Sequence, residues 1–297
     1  MLDPFSRGET LGQETIDPCY QPVFLADIPY LGVAREEAMD AYLPSEIFPG
    51  LRPALLLIHG GGWYGGDKRG AREQNIGNTL AAEGYAVFSI NYALNRGTGQ
   101  GGGKGRFETV AWPRNLFDCK SALRFLRSEA TRFGIDPQRI GVMGCSAGGH
   151  LAMMLAATAR EERWNGGGLY VGEANHVACL INFYGPHHLP PPFLASFFER
   201  PDPEESRAIL VEAAPRNHFH QKMPPTLVVH GTADDIVPVA MGRELAAELA
   251  ALGIVHRYVE VPEGPHSFDL QPRQADLRPA VLAFLDETLA GGGSRRR

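Results

Sequence analysis

Short apolar runs that end in glycine alternate with helical stretches along most of this chain, and this alternation constrains the fold more than any other feature. Strands buried on both faces of a parallel sheet read as continuous apolar runs, as "PALLLIHGG" does at 53–61. Repeated strand–helix units place such strands in one parallel-rich sheet with helices on both faces. The sequence therefore predicts an α/β protein with strands at 53–61, 85–92, 139–144, 177–185, 225–231 and 256–262 and helices at 72–84, 113–134, 148–159, 240–253 and 277–290.

The segments outside this alternation set the expected domain boundaries. Residues 28–44 have the pattern of one or two antiparallel strands at the sheet edge. No linker divides the core, so we expect a single domain over 28–290, preceded by an N-terminal extension at 1–27. Residues 291–297, where three arginines follow "GGGS", are predicted to form a flexible tail.

Two excursions interrupt the core and are predicted to surround the ligand site. Residues 95–111 are too rich in glycine for a helix or strand and should form a mobile loop. Residues 186–224 mix prolines with aromatic residues between two core strands. Both excursions follow strands, and loops at the carboxyl ends of strands border the crevice of a doubly wound sheet. We therefore expect them to form a small lid or the pocket, with 186–224 as an insert in the domain.

Composition excludes several classes of protein. The 297 residues carry a formal net charge of −6, which would repel a nucleic-acid backbone. No stretch reaches the roughly 20 apolar residues of a membrane helix. The first residues lack the layout of a secretion signal, so we expect a cytoplasmic protein. The four cysteines, Cys19, Cys119, Cys145 and Cys179, are too widely spaced to suggest a disulfide framework or a zinc site.

A GxSxG pattern at 144–148 lies between a predicted strand and a predicted helix. In that context the turn is so tight that its flanking residues must be small, and the central residue is held over the carboxyl edge of the sheet. Ser146 is the central residue and the predicted nucleophile. Cys145 falls one position earlier, where its side chain should turn back into the protein.

A serine hydroxyl needs a base to accept its proton and a carboxylate behind that base. His266 follows the last clear strand, and Asp234 follows the strand before it. The order Ser146, Asp234, His266 is the one found when a triad is carried on successive strand ends of an α/β-hydrolase sheet. Asp235 is the competing carboxylate, and we favour Asp234 because the chain turns away from the site after it.

Acyl transfer also needs hydrogen-bond donors for the oxyanion of the transition state. "HGGGW" at 59–63 follows the first long strand, and its bare backbone can approach a ligand closely. We expect the N–H groups of Gly61, Gly62 and Ala147 to form the oxyanion hole. A phosphate-binding loop is excluded because neither GxxxxGK[ST] nor GxGxxG is completed here.

The other histidines have ordinary structural interpretations. His59 and His230 lie at strand ends, where we expect them to shape turns. Four more could suggest a metal site, but no Asp, Glu or Cys stands at ligand spacing beside them, so we expect neither a metal nor a cofactor. These four are His187, His188, His218 and His220.

Four motifs in order, "HGGGWYGGDK", "DPQRIGVMGCSAGGHLA", "HGTADDIVP" and "GPHSF", resemble those of the α/β-hydrolase superfamily. The similarity is greatest to the acetyl esterase/lipase branch, which includes hormone-sensitive-lipase-like and BD-FAE enzymes, and it extends from about residue 28 to residue 290. The resemblance implies an α/β-hydrolase fold, the triad Ser146, Asp234 and His266, and an oxyanion hole of Gly61, Gly62 and Ala147. The chain departs from the pattern at Cys145, in its long glycine-rich loop and in lacking a large N-terminal cap.

The predicted function is that of a serine carboxylesterase acting on short acyl esters, such as acetyl or feruloyl esters of carbohydrate. The alternatives are an amidase of the kynurenine-formamidase type, which shares the triad, and a non-catalytic ligand receptor on the same fold. A redox sensor centred on Cys145 is a further alternative, and it would require a thiol of low pKa. The oligomeric state is left open. Aromatic residues predicted for the pocket wall are Trp63, Tyr64, Tyr184, Phe193, Phe197 and Phe198.

Overall fold

The computed structural model of the chain describes residues 21–97, 107–189, 198 and 202–289. The strands in this part of the chain are β1 (Val23–Ile28), β2 (Met39–Leu43), β3 (Arg52–Ile58), β4 (Ala86–Ile90), β5 (Ile135–Cys145), β6 (Leu180–Phe183), β7 (Thr226–Gly231) and β8 (His256–Val261). The helices are α1 (Ala71–Ala82), α2 (Arg114–Ser128), α3 (Ala130–Phe133), α4 (Ala147–Ala157), α5 (Glu162–Asn165), α6 (Pro203–Glu212), α7 (Val239–Ala251) and α8 (Arg278–Leu289), with a 3-10 turn at Pro215–His218.

All eight strands form one sheet in the order β1-β2-β4-β3-β5-β6-β7-β8. Strand β2 pairs antiparallel with both β1 and β4, and every pairing from β4 to β8 is parallel. Parallel neighbours need crossover connections, which the helices supply. The carboxyl ends of β3, β5, β6, β7 and β8 therefore lie along one edge of the sheet.

The predicted N-terminal boundary is wrong by five residues. Strand β1 begins at Val23, which pairs with Leu43 of β2, so the sheet starts inside the expected 1–27 extension. Five of the six side chains of β1 are exposed. An edge strand gains backbone hydrogen bonds from one neighbour but little burial, so the side chains at 23–26 stay exposed although all four are apolar.

The core lies on both faces of the sheet. In β3, Leu56 and Ile58 pack into one apolar cluster, and Leu55 and Leu57 pack into the other. Successive residues of a strand point to opposite faces, so a strand covered on both sides must be apolar throughout. Helices α2, α4 and α7 contribute buried residues to the first cluster, and α1 and α8 contribute to the second.

Helical segments differ from the prediction in three places. The stretch 113–134 forms α2 and the short α3, which ends at Gly134 in the left-handed conformation (φ 61°). The insert 186–224 contains α6 and the 3-10 turn, and Asp202 caps α6 by accepting from the Glu204 N–H. The short helix α5 was not predicted.

The excursions and the tail are described in part. Arg96 and Thr109 form an antiparallel bridge that joins the two ends of the glycine-rich loop, and residues 98–106 between them lie outside the described residues. The same is true of the predicted tail at 291–297. Among the described helices, none combines the length and apolarity needed to cross a membrane.

Candidate active site

Ser146 stands in the sharp turn between β5 and α4, with φ 54° and ψ −120°. A non-glycine residue in this region of backbone space is strained and persists only where its surroundings hold it. Here its N–H donates to the Phe183 carbonyl of β6 (2.9 Å), and its carbonyl accepts from the His150 N–H (3.0 Å). The turn thus fixes the hydroxyl at the carboxyl edge of the sheet.

Glycines surround Ser146 because the backbone passes too close for side chains. A β-carbon at Gly144 would lie 2.1 Å from the Gly148 carbonyl oxygen, and one at Gly148 would lie 2.0 Å from the Ile58 carbonyl oxygen. On the other side, a β-carbon at Gly60 would lie 2.8 Å from the Cys145 carbonyl oxygen and 3.2 Å from the Ser146 β-carbon. The last contact brings the glycine loop after β3 against the serine, and the role of Gly60 was not predicted.

His266 lies between the serine and a carboxylate. Its Nε2 accepts from the Ser146 hydroxyl at 2.9 Å, and its Nδ1 donates to Asp234 Oδ2 at 2.7 Å. Asp234 follows β7, and His266 follows β8. This arrangement allows the imidazole to take the serine proton while the carboxylate stabilises the resulting cation.

Asp234 is positioned by its own loop. Its Oδ1 accepts from the N–H groups of Ile236 (3.0 Å) and Val237 (2.8 Å). Burial alone would raise the pKa of Asp234, but hydrogen bonding to His230 and His266 outweighs burial and holds the pKa well below its usual range. Of the two carboxylates that the sequence left in competition, Asp234 contacts His266, whereas Asp235 is exposed to solvent.

Tyr184 contacts the imidazole of His266 directly. The two rings meet edge to face with centroids 4.8 Å apart, and the Tyr184 hydroxyl donates to the Phe268 carbonyl at 2.6 Å. Tyr184 also has a positive φ of 42°. Its side chain, predicted as pocket wall, is fully buried against the histidine ring.

The loop after β3 presents backbone donors toward the site. Gly61 and Gly62 have φ values of 118° and 59°, and within the described residues their N–H groups donate to no protein acceptor. The N–H of Ala147, the first residue of α4, likewise has no partner within its helix. His59 shapes this loop as predicted, since its Nδ1 donates to the Gly60 carbonyl at 2.6 Å.

Cys145, directly before Ser146, is completely buried in the apolar cluster that contains Leu55 and Leu57. Burial raises the pKa of its thiol to about 11. At neutral pH the sulfur is therefore protonated and shielded, which is the opposite of what a redox-sensing cysteine needs.

The other predicted wall residues have different surroundings. Trp63 is buried and donates through Nε1 to His150 Nδ1 at 3.2 Å, and its ring packs edge-on against Phe198. Tyr64 is partly exposed and borders a surface groove with Asn91 and Arg96. Phe193 and Phe197 lie outside the described residues.

The four histidines considered for metal binding separate into two groups. His218 contacts the Glu161 carboxylate (2.9 Å), and His220 donates to the Ala157 carbonyl (3.0 Å). His187 and His188 instead lie beside Glu244 of α7, with one potential ligand atom of each residue within 4.8 Å of the others. The carboxylate that the sequence did not place beside these histidines is supplied by a helix more than 50 residues away.

Comparison with known proteins finds a matching family and an esterase with a similar sequence. The model of the BD-FAE family matches residues 39–249. The esterase LipQ of Mycobacterium tuberculosis is 30% identical over 271 residues, which cover 88% of this chain and 61% of LipQ. The chain therefore spans about three fifths of that relative.

Solved structures share the fold over nearly the whole chain. A truncated carbohydrate esterase from gut microbiota has a TM-score of 0.80 at 24% identity, covering 93% of this chain and 99% of that one. MGS-M1, an α/β hydrolase from a Medee basin deep-sea metagenome, has a TM-score of 0.66 at 22% identity, covering 91% and 99%. The predicted α/β-hydrolase fold is confirmed, and the chain belongs to the BD-FAE family in the esterase branch of the α/β-hydrolase superfamily.

Proposed function

We propose that this chain is a serine carboxylesterase that hydrolyses short-chain acyl esters through an acyl-enzyme. The observation that carries the proposal is the position of His266, hydrogen-bonded to the Ser146 hydroxyl on one side and to the Asp234 carboxylate on the other. The curated relative LipQ, named as an esterase, supports the same class of reaction.

In the first half of the reaction, Ser146 Oγ attacks the ester carbonyl as its proton passes to His266 Nε2. Asp234 keeps Nδ1–H oriented and stabilises the imidazolium. The N–H groups of Gly61, Gly62 and Ala147 stabilise the tetrahedral oxyanion, and losing one such donor costs about 10² to 10³ in turnover. The imidazolium then protonates the departing alcohol. In the second half, water attacks the acyl-enzyme with His266 as base, releasing the acid and restoring the serine.

The substrate class is proposed from the surroundings of the loop after β3, which carries Gly61 and Gly62 and is called the oxyanion loop below. Trp63, directly after Gly62, is buried by its hydrogen bond to His150 and its ring contact with Phe198. The space beside the oxyanion loop is therefore filled with aromatic side chains. A filled wall favours acyl groups of few carbons. Of the two carbohydrate esters predicted from the sequence, an acetyl ester fits this restriction and the larger aromatic feruloyl ester does not, so acetyl esters of carbohydrate are the proposed natural substrates.

A fluorophosphonate probe, which phosphonylates activated serines, tests the proposal. We expect one adduct on the wild-type protein at Ser146, and neither an adduct nor hydrolysis of p-nitrophenyl acetate by the Ser146→Ala variant. Cys145→Ala is the matched neighbouring variant and should keep both. A folded wild-type protein without an adduct would contradict the proposal and favour the ligand receptor. Faster turnover of N-formylkynurenine than of any ester would favour the amidase.

A further inference from the structure

His187, four residues beyond the end of β6, is a fully buried polar side chain. Its side chain is 0% exposed, and neither ring nitrogen has a hydrogen-bond partner among the described residues. A buried polar group normally has a partner, because losing water without gaining a hydrogen bond is unfavourable. An imidazole held in this way has an unused lone pair directed into the protein.

The side chains around His187 are of types that bind metal ions. His188 and Glu244 each offer a ligand atom within 4.8 Å of that of His187, and the Nδ1 of His188 also lacks a partner among the described residues. Glu248, one turn further along α7, comes within 3.5 Å of His187 Nε2, but Arg216 already holds its carboxylate in an ion pair. Two imidazoles and one carboxylate therefore lie close enough together to share one ion.

We propose that His187, His188 and Glu244 bind one Zn²⁺ ion. Zinc takes nitrogen and oxygen ligands in a tetrahedral site, and two histidines with one glutamate are a known zinc-binding combination. Bonds of about 2.0 to 2.2 Å separate tetrahedral ligand atoms by about 3.4 Å, so the three groups need to move together by roughly 1 Å. A water molecule takes the fourth position, because the carboxylate of Glu248 is paired with Arg216.

Two features of the site suit this ion. Glu244 lies on the exposed side of α7, which gives the ion a path from solvent. The surrounding charge is balanced as well, since Glu248 neutralises Arg216.

The zinc ion would stabilise the fold and would take no part in ester hydrolysis. His187 and His188 lie at the start of the insert 186–224, whereas Glu244 belongs to α7, which packs on β7 and β8. A shared zinc ion would therefore fasten the start of the insert to the core. The proposal does not depend on the proposed function, because none of the three residues belongs to the triad or the oxyanion loop.

Zinc binding by the full chain, purified without a polyhistidine tag and stripped with EDTA, tests the proposal. The probe is Zn²⁺ itself, titrated against a chromophoric zinc indicator, with bound metal counted by mass spectrometry. We expect one Zn²⁺ per wild-type chain, and binding weaker by about 100-fold or more in Glu244→Gln and His188→Gln, each of which removes one ligand. Co²⁺ at the same site should give the intense visible absorption of a tetrahedral complex.

Matched controls separate this site from adventitious binding. Glu287→Gln on α8 and His256→Gln on β8 change the same residue types away from the cluster and should bind Zn²⁺ like the wild type. Glu244 is exposed, so its variant should fold, which urea unfolding checks. The proposal is overturned if the wild type binds no Zn²⁺, or if Glu244→Gln and His188→Gln bind it as tightly as the two controls.

Discussion

His230 Nε2 lies 3.3 Å from Asp234 Oδ2, the same carboxylate oxygen that accepts the hydrogen bond from His266. His230 also donates to the Val237 carbonyl at 2.8 Å and so closes the loop that carries Asp234. His230, near the end of β7, thus holds the Asp234 carboxylate in place through a second contact besides that of His266. The loop conformation decides which of two adjacent aspartates faces the site.

Asp234→Asn and Asp235→Asn form a matched pair of variants for this assignment. Asparagine at 234 removes the charge that stabilises the imidazolium, so kcat for p-nitrophenyl acetate should fall by about 10³ to 10⁴. Asparagine at 235 changes an exposed side chain, and kcat should stay within about threefold of wild type. Comparable losses in both variants, or a larger loss at 235, would refute the assignment.

Cys145 should be inert toward iodoacetamide in the folded protein. Its pKa of about 11 leaves a thiolate fraction of about 10⁻³ at pH 8, and the sulfur is fully buried. Peptide mapping by mass spectrometry should find this cysteine unmodified in native protein and modified after unfolding in urea. Rapid modification of the native protein at Cys145 would reopen the redox interpretation.

Gly148→Ala should destabilise the fold severely. The added β-carbon would lie 2.0 Å from the Ile58 carbonyl oxygen and 2.5 Å from that of His59, and these backbone atoms cannot move aside as a flexible side chain could. We expect a loss of about 3 kcal/mol or more in the free energy of unfolding in urea. The matched variant Gly172→Ala meets no atom within 4 Å and should change it by less than about 0.5 kcal/mol. Equal stability of the two variants would show that the strand–helix crossing tolerates a side chain.

Acid should destabilise the protein through His150. Burial lowers its pKa from 6.5 to about 4, so the unfolded chain binds a proton that the folded chain excludes. The corresponding stability is present above pH 6.5 and is lost as the pH falls toward 4, by about 3 kcal/mol in all. Urea unfolding between pH 7 and pH 4.5 should therefore show a steeper decline for wild type than for His150→Gln. Parallel declines would mean that other groups dominate the acid response.

The sequence predicted the features that depend on local patterns. Buried parallel strands are continuous apolar runs, so their positions were found to within a few residues. Ser146 was recognisable because the glycines around it follow from backbone contacts inside one short turn. His266 and Asp234 were recognisable because they directly follow strands whose carboxyl ends share an edge.

Features that depend on distant contacts were missed. Strand β1 is stabilised by pairing with β2 and not by burial, and its apolar residues at 23–26 were not assigned to the sheet because the pairing itself leaves no local pattern. Glu244 meets His187 and His188 only because α7 packs beside the loop after β6, which no spacing in the sequence reveals. Tyr184 was predicted as pocket wall, and its edge-to-face contact with the His266 ring was not predicted.

The three residues of the proposed triad follow three different strands, β5, β7 and β8, which lie on both sides of β6. If only β7 and β8 unfolded from the sheet, Ser146 would keep its turn but would lose His266 as its base. A fluorophosphonate should therefore not label a partly unfolded protein in which β7 and β8 are detached, even though β3 and β5 are still folded. A covalent probe of one hydroxyl would in this way report the integrity of half the sheet.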